Sequence, residues 1–421
     1  MKILFIHQNY PGQFKYLAAE LVKLGNDVRA LTMSELSKVN MDGVNVIKYK
    51  IIKNPVKEQN QYLTELETKL IRAESCLTAC QKLKSDGFNP DIIIAHPGWG
   101  EAIFIKECWT TAKLGIYCEY YYNYHGGDVG FDLEFQNETY NAETKLRFKN
   151  INNWLNIEIA DSAISPTDWQ AKSFPAYFKN KINVIHDGID TKICSENKDA
   201  FLILNKKGQE FRLKKGDEVV TFINRNLEPY RGFHIFMRAL PEILKATPSA
   251  KILIIGGAGL SYGFAPDKNK YGFDNWKDLI VHEIFDNLSP EQWDQIFFLG
   301  NVNYSNYLNV LQISMVHVYL TYPFVLSWSL LEAMSVGCAI VASDTAPVKE
   351  VIEDEQTGML VNFFDYKLLA KKVADLISSP NKRAELGKLA REHIVNNYDL
   401  KTICLPKQVN WVKSLNETKY E

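Results

Sequence analysis

Residues 321–352, TYPFVLSWSLLEAMSVGCAIVASDTAPVKEVI, read as strand, turn, helix, strand and turn. Ser327 is a residue type that caps a helix, and Gly337 is one that ends it in the left-handed region. Glu332 stands in the middle of this short helix, and Phe324 stands eight residues before it. A strand–helix–strand unit of this kind is one piece of a parallel sheet covered by helices.

The same alternation extends in both directions. Upstream, EVVTFINR, AKILIIGG, FFLG and MVHVYLTY read as strands, separated by GFHIFMRALPEILKAT and YSNYLNVLQIS as helices. Residues 199–217 read as a hairpin with turns at Lys207-Gly208 and Lys215-Gly216. At the start of the chain, MKILFIHQNY is a buried strand, FKYLAAELVKLGNDV a helix and VRALTM a strand. Residues 58–86 read as helix, PDIIIAHPGWGE as a strand entering a loop, and ECWTTAKLG as helix. GIYCEYYYNY reads as a strand, residues 137–161 as helix, and SAISPTDWQAKSF as a short strand and helix. The fold class is therefore α/β, with two doubly wound, Rossmann-like parallel-sheet domains. The expected domains are 1–190, 191–395 and a helical tail 396–421 that crosses back to the first. Two such domains facing each other would leave a cleft at the carboxyl ends of their strands, where open α/β sheets bind ligands.

The chain has 421 residues, 46% hydrophobic and 23% charged, with net charge −2. No overall field draws it to nucleic acid, so a bound anion must be met by local positive groups. Its seven cysteines are scattered and form no CxxC pairs, which fits free thiols in a reducing cytoplasm better than a zinc site. The apolar run at the start is short for a signal peptide, and no run of about 18 apolar residues spans a membrane. A peripheral contact with the inner face of a membrane stays open.

In NRNLEPYRGFHIFMRAL, Arg225 ends a strand and Arg231 precedes Gly232 and a helix. Two guanidiniums beside a helix amino end make a diphosphate site without a metal. The N–H groups around Leu326, Ser327 and Trp328 would carry partial positive charge suited to phosphate. Glu332 shares a helix face with Trp328 and Ser329. A carboxylate beside phosphates makes sense if it accepts hydrogen bonds from a sugar diol such as ribose.

SLLEAMSVGCAIVASDTAPVKEVIEDEQTGMLV, NLEPYRG and AKILIIGG together resemble the nucleotide-binding half of retaining, GT-B-fold glycosyltransferases of family 4. FIHQNYPGQF, HPGWGE and SPTDWQAKSFPAYFKNKINVIHDGID resemble the amino-terminal half of a bacterial subgroup of that family. The resemblance implies that Arg225 and Arg231 grip the donor diphosphate, where the family usually has Arg and Lys. It implies that Glu332, the second acid of an E-x7-E element, holds the ribose. Val325, Leu326, Ser327 and Trp328 match the turn that cradles phosphate and sugar. Gly300 and Val302 match the turn that receives the base, and Gly12 matches the loop approaching the diphosphate. It further implies no metal and no cofactor beyond the donor itself, a UDP- or GDP-sugar. The partners implied are that donor and a saccharide or lipid-linked acceptor. Phe324 departs from the pattern: it stands where the first acid of E-x7-E would meet donor-sugar hydroxyls, and a phenyl ring accepts no such bond.

In the first half the family usually carries a His near the reacting carbon. Glu119 and His125, in and after GIYCEYYY, are the catalytic candidates here, and neither matches that pattern cleanly. His96, Trp99 and Glu101 follow a strand and pair an aromatic face with a carboxylate, a set suited to a sugar. His186 and Asp187 read as a hinge turn, and the two aspartates of IHDGID resemble a metal-binding DxD only superficially. Three other readings remain: a nucleotide-sugar epimerase of the same build, a non-catalytic glycan- or nucleotide-binding protein, and a dinucleotide oxidoreductase. GGAGLSYG speaks against the last, because it lacks a GxGxxG opening a helix.

Overall fold

The computed structural model describes residues 1–35, 40–56, 60, 62–135 and 142–417. The chain divides into two units. One takes Met1–Gly130, Asn137–Gly188 and Leu400–Glu421; the other takes Phe131–Gln136 and Ile189–Asp399.

In the first unit the strands are β1 (Lys2–Ile6), β2 (Asp27–Thr32), β3 (Asn40–Met41), β4 (Val44–Lys48), β5 (Ile92–Ala95), β6 (Lys113–Tyr117), β7 (Ser162–Ser165) and β8 (Ile182–Val184). They form one sheet in the order β3-β4-β2-β1-β5-β6-β7-β8, parallel except for β3 with β4. Both faces are covered, so β1 reads as an unbroken apolar run. Ile3 and Phe5 pack on one side with Leu17 and Leu21 of helix Lys15–Lys23 and with Trp411 and Leu415 of helix Leu405–Glu417. Leu4 and Ile6 pack on the other with Cys76, Cys80 and Leu83 of helix Leu63–Ser85 and with Ile157. Gly115 in β6 is where the last helix touches the sheet: a Cβ there would lie 2.7 Å from the Trp411 ring. The indole is further fixed by donating from Nε1 to Ser162 Oγ at 3.0 Å.

In the second unit β9 (Phe201–Lys206) and β10 (Gln209–Lys214) form the hairpin, with Lys207 and Gly208 both at positive φ. Then come β11 (Val219–Asn226), β12 (Lys251–Gly257), β13 (Ile296–Gly300), β14 (Val316–Tyr319), β15 (Ala339–Ser343) and β16 (Met359–Val361). Their order is β13-β12-β11-β14-β15-β16, all parallel. Strand order reverses between β11 and β14, and between β1 and β5 in the first unit. Crevices for ligands open at the carboxyl ends of such strand pairs.

Some local expectations are corrected. Of ECWTTAKLG only Glu107 and Cys108 are helical, as the end of helix Ile105–Cys108, because β6 already begins at Lys113. GIYCEYYYNY is strand only to Tyr117, and the following tyrosines lie in irregular chain. The segment 137–161 is two helices, Ala142–Lys149 and Ile151–Ile159; its first five positions, like 58, 59 and 61 of the segment 58–86, lie outside the described residues. All seven cysteines are free and buried. Among the described residues no helix is long and apolar enough to cross a membrane.

Candidate functional site

In the second unit the reversal point is built around Arg231. β11 ends in a register shift between Ile223 and Asn226, and the chain then turns through Pro229–Arg231. Gly232 closes that turn at φ +69, where any Cβ would collide with Leu320 just past β14. This close crossing carries the guanidinium over to the end of β14. Arg231 is only 4% exposed. Its Nη1 donates to Thr321 Oγ1 at 2.7 Å, to the Val325 carbonyl at 3.1 Å and to the Tyr319 hydroxyl at 3.4 Å. The Tyr262 ring covers it at 4.8 Å. All three acceptors are neutral, and no carboxylate reaches ion-pair distance among the described residues. Arg225 lies exposed at the end of β11, likewise without an ion-pair partner among them.

Helix Trp328–Val336 starts and stops as its sequence indicates: Ser327 Oγ accepts from the Ser329 N–H, and Gly337 takes φ +84. The turn before it differs from expectation. The Ser327 N–H donates to the Tyr319 hydroxyl at 3.1 Å, so it is not open toward the crevice. Val325 contributes its carbonyl to Arg231, Leu326 is buried, and Trp328 is 43% exposed. Phe324 is core. It is 5% exposed and meets Tyr230 and Tyr262 edge-on at 5.2 and 5.1 Å, bracing the ring that covers Arg231.

Glu332 already holds hydrogen bonds. It accepts from the Tyr304 hydroxyl at 2.8 Å and the Tyr307 hydroxyl at 2.5 Å. Burial pushes its carboxyl up, while the two phenols pull it back. Cys194 Sγ also donates to Oε1 at 3.8 Å, so it is Oε2 that keeps a second lone pair for a ligand hydroxyl. The two tyrosines went unnoticed in the sequence, although YSNY puts them three apart on one helix face. Gly300 ends β13 at φ +64, and Val302 packs partly buried against the core under that end.

At the reversal point of the first unit, β1 delivers His7 and β5 delivers His96. Both are buried, with ring centroids 5.2 Å apart. His7 Nδ1 accepts from the Asn9 N–H, so its Nε2–H faces Gln13 Oε1 at 2.9 Å. The Gln13 amide then donates to Glu119 Oε1 at 3.0 Å. His96 Nδ1 accepts from the Gly98 N–H, leaving Nε2 3.6 Å from Glu119 Oε2. The half-buried Glu119 is therefore flanked by two donors. Burial pulls its carboxyl up, but His96 and Gln13 outweigh this and hold it below the usual range. His7 is pushed down to about 3, chiefly by burial and then by neighbouring His96, so it is neutral near pH 7. Gly12 has no room for a side chain: φ is +46, and a Cβ would strike the His7 ring. Trp99 packs at 4.6 Å on His96 and 5.0 Å on His7.

Thus Gly12, His96, Trp99 and Glu119 come together, with His7 and Gln13 added. His7 stands directly after an apolar strand, the signal that singled out His96. Glu101 and His125 are elsewhere. Glu101 is 1% exposed, and among the described residues neither carboxyl oxygen meets a side-chain donor; burial, opposed by its own backbone N–H and then by Arg72, pushes it up to about 7. It is an interior group rather than a surface for sugar. His125 lies exposed in the loop after β6, edge-on to Tyr124 at 4.9 Å. Asp187 accepts from the Tyr117 hydroxyl at 3.0 Å, and the chain passes from the first unit to the second just beyond, after Gly188.

Among the described residues, Asp132, Glu134 and His234 cluster at metal-ligand spacing. Their carboxylates are engaged: Asp132 by the Tyr322 hydroxyl at 2.6 Å and His234 at 3.1 Å, Glu134 by both terminal nitrogens of Arg238. The cluster anchors residues 131–135 to the second unit. A cavity of about 820 Å³ lies at the opposite end of that unit's sheet, but its Arg383 and Arg391 donate to main-chain carbonyls of neighbouring helices and of the turn at Cys194.

Comparison with known proteins covers both halves. Residues 24–194 match the family model described as Glycosyl transferase family 4 group, and residues 205–393 match that of Glycosyl transferases group 1. Spore coat protein SA of Bacillus subtilis is 25% identical over 254 residues, 58% of this chain and 62% of that protein. The chain thus spans less than two thirds of the length of that relative. Sucrose-phosphate synthase from Thermosynechococcus elongatus superposes with a TM-score of 0.72 at 15% identity, over 99% of this chain and 100% of the other. Anabaena HepE, solved with UDP and glucose, superposes with a TM-score of 0.66 at 16% identity, over 98% and 99%. These superpositions establish a shared fold.

Proposed function

We propose, for a chain that belongs to the GT-B glycosyltransferases of the family 4 and group 1 type, that it transfers a sugar from a nucleotide-diphosphate donor to a saccharide or lipid-linked acceptor, with retention at the anomeric carbon. The observation that carries this reading is the burial of Arg231 against neutral acceptors at the reversal point of the second sheet. The buried Glu228 acts on this cation from beyond ion-pair distance and leaves its donors on neutral oxygens, so an anion in direct contact would complete its shell. A diphosphate fits that need, and the exposed Arg225 at the end of β11 offers a second cation. HepE, solved with UDP and glucose, supports a UDP-hexose as donor, with a GDP-sugar as the other candidate.

In the reaction the bond from the anomeric carbon to the diphosphate oxygen breaks, and a bond to the acceptor oxygen forms on the same face. The acceptor proton passes to a phosphate oxygen of the leaving group. Arg231 and Arg225 stabilise the charge that grows on that diphosphate, a type of interaction worth most in a dry, prearranged site. Glu332 accepts from one ribose hydroxyl with the Oε2 lone pair that Tyr307 leaves. Glu119, kept ionised by Gln13 and His96, accepts from sugar hydroxyls. No step requires a metal ion. Titration calorimetry of the full chain with UDP, GDP and ADP tests the reading. One of them should bind, and its sugar conjugate should release nucleoside diphosphate only with an acceptor present. Absence of binding by all three would overturn it.

A further inference from the structure

The loop after β6 and the helix Asp168–Ser173 enclose a cavity of about 400 Å³ in the first unit, which the reading above does not use. Its volume lies in the range of small-molecule sites. Its walls are tied together. Thr167 caps the helix by accepting from the Gln170 N–H, and the Gln170 amide donates to the Glu119 carbonyl at 2.6 Å. The Asn123 amide bridges the two lips, donating to the Tyr121 carbonyl at 3.0 Å and the Ser173 carbonyl at 2.9 Å. Gly127 fills the floor: a Cβ there would lie 2.8 Å from the Tyr120 hydroxyl and 3.0 Å from the Asn123 carbonyl.

The chemistry of the lining is one-sided. Tyr120 and Trp169 stack at 5.5 Å and 20°. His125 and Lys172, both exposed, supply an imidazole and an ammonium, and Lys172 has no ion-pair partner among the described residues. None of the described carboxylates lines the cavity. The nearby Asp128 is buried and holds the Tyr120 hydroxyl at 3.1 Å. Aromatic rings suit the C–H faces of a sugar, and an unpaired ammonium suits an anionic substituent on it.

We propose that this cavity binds an anionic hexose unit of the acceptor, one carrying a carboxylate or a phosphate. The proposal rests on the glycosyltransferase reading for the word acceptor, but the binding itself is measured separately. Methyl glucoside, methyl glucuronide, glucose 6-phosphate and inorganic phosphate are titrated into the full chain by calorimetry, with saturation-transfer NMR to identify the protons in contact. At least one anionic hexose should bind about tenfold more tightly than methyl glucoside, the size of one charge-assisted hydrogen bond. The tighter of the two tells carboxylate from phosphate. Lys172→Gln, a change at an exposed position, should erase the difference, and Trp169→Ala should weaken all hexoses. If Trp169→Ala does not fold, Lys172→Gln still decides. Equal binding of neutral and anionic hexoses, no binding of any, phosphate binding as well as the hexoses, or indifference to Lys172→Gln would each overturn the proposal. Nucleoside diphosphate titrations of the same samples separate the two readings: hexose discrimination without nucleotide binding refutes only the donor assignment, and the reverse refutes only this cavity.

Discussion

A guanidinium removed from water is costly unless its donors are met, and Arg231 meets only neutral oxygens. Arg231→Ala should therefore lower kcat/KM about tenfold or more and weaken nucleoside diphosphate binding to match, from loss of a charge-assisted bond worth about 1.5–3 kcal/mol. Steady-state kinetics beside calorimetry check this; unchanged values would remove Arg231 from the site. Against burial, His96 above all and then Gln13 hold the Glu119 carboxyl low. Gln13→Ala should raise it, so the acid limb of the pH–rate profile should move to higher pH; an unmoved limb would show that Glu119 does not act in its ionised form. Glu101 runs the other way, its folded-state value of about 7 standing above the usual 4.5. Its contribution to stability is full below about 4.5 and is lost as pH rises through about 7, roughly 3 kcal/mol in all. Denaturant unfolding of Glu101→Gln should lack that decline, and parallel curves for the two proteins would contradict it. His96, Trp99 and Glu119 were legible because strand ends point into crevices. The burial of Glu101 was not, because Gly100, which alone separates it from Trp99, takes φ +102 and turns the chain away.

At the scale of elements, strand order does more than any single motif. The run of strands and helices reads off apolar periodicity, whereas the reversal between β11 and β14 depends on which strands pair. Gly232 against Leu320 and Gly115 against Trp411 mark where elements touch without a side chain between them. Trp411→Ala would open a large gap between helix Leu405–Glu417 and β6. It should cost about 3–5 kcal/mol, the usual penalty for a buried Trp, and lower the melting temperature accordingly. A melt within experimental error of the parent would mean that this helix contributes little to the unit. Ser327 shows an element-scale effect that sequence reading missed: its N–H faces its own neighbour Tyr319, eight residues back across the turn.

At the scale of the whole molecule, the chain is not divided once. It leaves the first unit after Gly130, contributes residues 131–135 to the second, returns, and crosses again at Gly188 and at Leu400. The last helix supplies Val409, Trp411, Val412 and Leu415 to the core of the unit that contains β1. Truncation after Asp399 strips that core of one wall. The truncated chain should be insoluble or melt well below the full one, as tested by solubility and calorimetry; an unchanged melt would make the tail dispensable.

The sequence by itself determined the α/β class, the alternation within each half, the capped helix Trp328–Val336 and the glycosyltransferase resemblance. These depend on local periodicity and on residue types at fixed spacing, and they survive in one dimension. Tertiary structure alone decided that Phe324 is core, that Glu332 is already held by two tyrosines, and that His7 and Gln13 join His96 and Glu119. Those outcomes depend on which strands become neighbours and how closely their ends approach, distances that chain spacing does not encode.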